Sequence, residues 1–163
     1  MRNLVLLAAM LASTAAQPAS AHATLGSDPA RMGQPYSAHF NIPHGCAGQP
    51  TVEVIVQVPP GFLNVKPVEV EGWTATGTTG RYDEEHRLGD DVVAEGVTEV
   101  SWTGGSLPDG EHATFALEGV FATDLEPGPV YFPLVQVCPE GEEAWIEHDP
   151  DADKPAPSVV LER

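Results

Sequence analysis

Basic charge is what this sequence has least of. Seven lysines and arginines stand against 24 aspartates and glutamates, a formal net charge of −17. Such a surface repels nucleic acid and anionic membranes, since both are bound through basic patches. No HExxH, Gly-x-Ser-x-Gly or Walker pattern occurs, so the signatures of zincins, α/β-hydrolases and P-loop enzymes are missing. Beyond the first 21 residues there is no apolar run near 18 residues, so nothing there reads as a membrane span. Only one methionine, Met32, lies in that region, and cysteine is limited to Cys46 and Cys138. A blue-copper centre needs a cysteine, two histidines and usually an axial methionine drawn together. With no methionine after Cys138, neither a cupredoxin centre nor a Met-rich Cu(I) carrier is expected. Helical periodicity is almost absent as well.

What is present starts at the amino terminus. Arg2 supplies a positive n-region, Leu4 to Leu11 with the following alanines an apolar h-region, and Ala19-Ser20-Ala21 a small-residue cleavage site. Residues 1–21 therefore read as a secretory signal peptide, and 22–163 as one domain long enough for a proper core. The expected location is the periplasm, with no membrane insertion once the signal is removed. In an oxidising compartment the two cysteines are expected to form a disulfide. Closing so long a loop is worth about 4–5 kcal/mol in the chain-entropy model, less any strain.

Sixteen glycines and 16 prolines punctuate short β-branched runs, which points to an all-β protein. Expected strands are 36–42, 51–58, 68–76, 97–103, 114–121, 130–137 and a last short one at 159–161. The clearest is 51–58, where Val52, Val54, Val56 and Val58 share one face before Pro59-Pro60-Gly61 stops the run. Gly104-Gly105, Asp109-Gly110 and Glu126-Pro127-Gly128 read as turns. The charged stretch 81–95 reads as a long surface loop, and 149–157 as a flexible acidic connection. Together these match a two-sheet, immunoglobulin/cupredoxin-like β-sandwich with Greek-key connections.

Cleavage after Ala21 makes His22 the first residue of the mature chain. Its free α-amine and its imidazole Nδ1 close a six-membered chelate ring on a metal. Both groups lose protons to a metal readily near neutrality, and paired nitrogens suit Cu(II). By itself the observation is suggestive and no more: some residue must follow the cut, and chance makes it histidine only rarely. Five more histidines (His39, His44, His86, His112 and His148) read mainly as surface residues. His44 stands out because it lies two residues before Cys46. A Cys46–Cys138 bond brings it near the hairpin that follows Val135. With a tight turn at Glu140-Gly141, Cys138 pairs with Glu143 and Gln136 with Trp145, so all four share one face. Trp145 is read either as a core aromatic or as part of a site. Trp73 and Trp102 read as core.

Taken in order along the chain, these pieces form a larger pattern. His22-Ala23-Thr24-Leu25 is followed by Ile42-Pro43-His44-Gly45-Cys46 and Gln49-Pro50-Thr51. Then come Val65-Lys66-Pro67, Glu71-Gly72-Trp73 and Val100 to Asp109, and last Tyr131 to Cys138 and Trp145-Ile146-Glu147. In these the chain resembles the YcnI-like copper-binding family over nearly all of its mature length. The resemblance implies a β-sandwich that binds Cu(II) outside the cytoplasm through a mono-histidine brace. In such a brace the first mature residue supplies two nitrogens, a carboxylate completes the set and a tryptophan lies beside the metal. Carried over, the brace falls on His22 and the tryptophan on Trp145. The carboxylate does not carry over: relatives have a glutamate where this chain has His44-Gly45, and an acidic pair where it has Ala113-Thr114. His44 is the expected third ligand here, with Glu143 in reserve.

The leading expectation is a non-catalytic protein that stores Cu(II) or exchanges it with other periplasmic copper-transfer proteins. A copper-dependent oxidative enzyme is disfavoured, since it needs a second histidine and a flat aromatic face, and aromatics are 7% of the chain. The third alternative is a secreted β-sandwich interaction domain in which His22 has no metal role.

Overall fold

A computed structural model of the protein describes residues 22–26 and 28–163. The expected signal, with Ala21 at its cleavage point, lies outside the described residues. Every regular element among them is a β-strand. Along the chain come β1 (Thr24–Leu25), β2 (Ala30–Arg31), β3 (Pro35–Ile42), β4 (Thr51–Gln57), β5 (Phe62–Pro67) and β6 (Thr74–Leu88). They are followed by β7 (Asp91–Leu107), β8 (Ala113–Phe121), β9 (Gly128–Tyr131), β10 (Leu134–Cys138), β11 (Gly141–Trp145) and β12 (Ser158–Glu162). One sheet has the order β1-β3-β8-β5 and a second the order β11-β10-β4-β7-β6. A third, smaller sheet is β2-β12-β9, with β12 parallel to β2.

The expected all-β sandwich is what forms. The chain passes repeatedly between the two larger sheets, and their inner faces share one core. Phe40, Phe115, Leu117 and Phe62 from the first meet Val54, Val56, Val100, Trp102 and Leu134 from the second. Aromatic edges join the layers: Trp102 lies 5.4 Å from Phe115 and Phe62 5.6 Å from Phe132, centroid to centroid. The buried Trp102 indole N–H donates to the Val68 carbonyl at 3.1 Å, so its one polar atom is satisfied.

Several elements differ from expectation. The stretch 81–95 is no loop: it belongs to the long β6–β7 hairpin, turned at Gly89-Asp90. An irregularity between Arg81 and His86 breaks the two-residue alternation there, which hides the strand from pattern reading. The expected strand 68–76 is mostly a loop with a turn at Glu71-Gly72, and the preceding β5 was not anticipated. Residues 130–137 are two strands separated at Phe132-Pro133, where proline has no N–H for a ladder. Gly104-Gly105 is not a hairpin turn but a bulge inside β7 opposite β4. Gly104 has φ +81°, and a Cβ on Gly105 would sit 2.2 Å from the Trp73 ring. Trp73 stands on this glycine and packs against Phe115 at 5.0 Å, half-buried at the edge of the core.

Candidate functional site

The site is built around the β10–β11 hairpin. Pro139-Glu140 makes its turn, so Cys138 pairs with Gly141, Gln136 with Glu143 and Leu134 with Trp145. The register is two residues away from the expected Cys138–Glu143 pairing. A two-residue slip preserves parity, so Gln136, Cys138, Glu143 and Trp145 still share a face. The expected disulfide is present: Cys46 bonds Cys138, with Cα atoms 6.0 Å apart.

The disulfide brings the end of β3 against this hairpin. Cys46 and Gln49 close a tight turn, with Ala47 and Gly48 at positive φ, and the Gln49 side chain accepts from the Glu140 N–H at 2.9 Å. Gly45 is required here, because a Cβ would lie 1.7 Å from the Gln49 carbonyl oxygen. Its N–H donates to Asp109 at 3.0 Å. The backbone of His44 is thereby fixed beside β10, and its ring Nδ1 lies 2.5 Å from the Gly45 carbonyl oxygen.

Gln136 is the hub that pattern reading missed. It is fully buried, and its amide donates to the His44 carbonyl and to the Thr51 hydroxyl. Its carbonyl oxygen accepts from the Trp145 indole N–H at 3.4 Å. A glutamine on the inward face between valines was the available signal, since a buried amide needs partners. Trp145 is 4% exposed and belongs to the core, yet its ring also meets His22 edge-on, with centroids 5.7 Å apart. Trp145 is thus a core aromatic whose ring edge also touches His22.

His22 lines a groove of about 270 Å³ with Leu25, Tyr131, Pro150, Pro155 and Pro157. One wall is the acidic segment after β11, which is tied down at its base rather than hanging loose. The N–H groups of Ile146 and Glu147 both donate to the Lys154 carbonyl at 3.1 Å, and Ala156 N–H donates to the Glu147 carbonyl at 2.7 Å. Tyr131, at the groove, stacks on His148 at 4.4 Å. The Glu143 carboxylate pairs with the Lys154 ammonium at 2.5 Å.

The expected ligands His22, His44 and Glu143 are therefore neighbours of one hairpin but not a preformed triad. Among the described residues, no three or more His, Cys, Asp or Glu side chains are drawn together as a metal-binding group. Of the other histidines, His86 is buried beside Asp124, with 4.0 Å between Nδ1 and the carboxylate.

Residues 22–161 match the model of a family described as a domain of unknown function (DUF1775). No functionally curated protein matches the chain. An uncharacterized protein from Nocardia farcinica, whose crystal structure reveals an immunoglobulin-like fold, superposes with a TM-score of 0.64. The two are 22% identical, and the match covers 87% of this chain and 99% of that one. At that identity the likeness bears on the fold alone.

Proposed function

We propose, for a chain that belongs to the DUF1775 family, that it is an exported Cu(II)-binding protein whose metal donors start at the mature amino terminus. The observation that carries the reading is the seating of His22. The residue expected to follow signal cleavage is also the one whose ring packs on Trp145 at the mouth of a groove. A histidine held this way has lost part of its rotational freedom before any metal arrives, which lowers the cost of chelation.

The donor chemistry fits a small divalent cation. The imidazole and the α-amine of His22 would supply two nitrogens, and tetragonal nitrogen-oxygen sets suit Cu(II). Glu143 offers a carboxylate from the β11 face that also carries Trp145. His44 is the other donor in reach of the same hairpin, its backbone fixed by Gln136. The Trp145 N–H is directed to Gln136, so the indole serves as a wall and not as a ligand. The reading is one of binding and hand-over, with copper as cargo. The alternative of a secreted interaction domain predicts that His22 is dispensable.

Electron paramagnetic resonance of the mature protein titrated with Cu(II) tests the reading. The expected spectrum is a single tetragonal species with nitrogen hyperfine structure, lost in His22→Ala. An unchanged spectrum in that variant contradicts it. In His44→Ala a changed spectrum assigns His44 as the third ligand, and an unchanged one removes it from the set.

A further inference from the structure

Between Glu140 and Asp153 the sequence has seven carboxylates and no lysine or arginine. Lys154 follows immediately, and it reaches back to one carboxylate in particular, that of Glu143 on β11. The lysine does not wander there. Its carbonyl takes two backbone N–H groups, from Ile146 and Glu147, and its own N–H donates to the Glu147 carboxylate at 2.9 Å. Three hydrogen bonds therefore fix the backbone from which the ammonium extends. Pro155, the next residue, forms part of the groove wall beside His22.

Glu143 and Trp145 project from one face of β11, two residues apart, and Trp145 carries the His22 ring. The carboxylate that Lys154 holds thus lies on the same face of β11 as the tryptophan that carries the histidine. An ammonium and a divalent cation compete for the same oxygens. We infer that Lys154 is a tethered surrogate cation: it occupies Glu143 in the metal-free protein, yields it on loading and takes it back on release. The inference rests on the copper reading above. Its effect is to weaken binding and speed release, as suits a protein that passes metal on. The pair is partly open to solvent, with side chains 45% and 24% exposed, so the competition is modest and weakens with salt.

The test is a Cu(II) titration against a competing chelator, with stopped-flow release to the same chelator, on the mature protein beginning at His22. Lys154→Met is expected to bind about fivefold more tightly and release correspondingly more slowly, while Lys154→Arg, still cationic, stays close to the parent. In a Glu143→Gln background, Lys154→Met is expected to change neither quantity. Urea unfolding of the metal-free variants accompanies the titration, so that an affinity change is read only from folded protein. Equal or weaker binding by Lys154→Met overturns the inference, as does the same gain in the Glu143→Gln background. The copper reading has its own control, an alanine placed before His22. If that extension weakens binding while Lys154→Met does nothing, the surrogate falls and the copper reading stands. If the extension also does nothing, both fall.

Discussion

Replacing Gln136 by leucine removes an amide that bonds to His44, Thr51 and Trp145. The glutamine is buried completely, as is Thr51, and Trp145 is 4% exposed. Leucine would take one hydrogen bond each from the half-buried His44 carbonyl, the Thr51 hydroxyl and the Trp145 indole N–H. Each buried group stranded in this way costs about 1–3 kcal/mol, though the hydroxyl can turn to another acceptor. The leucine side chain returns about 1–2 kcal/mol through its own apolar burial. The expected net loss is about 3 kcal/mol of unfolding free energy. Urea denaturation checks it: the midpoint should fall with the slope unchanged, as for a loss of native-state stability. Adding Thr51→Val should recover about 1 kcal/mol, because removing both members of a buried pair costs less than removing one. A loss below about 1 kcal/mol, or no recovery in the double variant, would refute the view of Gln136 as a satisfied hub.

Two further outcomes follow from other parts of the molecule. Cys46 and Cys138 are 92 residues apart in sequence, and replacing both by serine is expected to cost about 3–5 kcal/mol, read by denaturation with and without reductant. Burial holds the phenols of Tyr36 and Tyr82 above the ordinary 10.0, with the Asp28 carboxylate adding to the effect at Tyr36. Above that value the unfolded chain gives up these protons before the folded one, so the stability they lend below pH 10 is lost as pH rises. Unfolding measured from about pH 9 to 11 should show the decline, and Tyr36→Phe with Tyr82→Phe should flatten it.

The parts of the fold legible from sequence are those with unbroken alternation. Thr51–Gln57 and Pro35–Ile42 lie close to where their patterns predict: Pro35–Ile42 pairs with β8 residue for residue, and Val54 and Val56 keep their alternation into the core beyond the bulge opposite the start of β4. The β6–β7 hairpin was hidden by its bulges, and Gly104-Gly105 imitates a turn while serving as a seat for Trp73. At the site, pairing Cys46 with Cys138 was enough to bring His44, Glu143 and Trp145 into one neighbourhood, since strand parity survives an error of two in register. Lys154 was not foreseeable. Its partner is 11 positions earlier in sequence (143 against 154), across a proline-bearing segment whose path no local pattern specifies.

The reading of His22 as a metal donor turns on its α-amine, and that group can be altered without touching any side chain. Mature protein beginning at His22 and a version with one alanine before it should be titrated with Cu(II) side by side. The account predicts at least about tenfold weaker binding by the extended protein, because the chelate loses one of its two nitrogens to an amide. Equal affinity in the two proteins would contradict it.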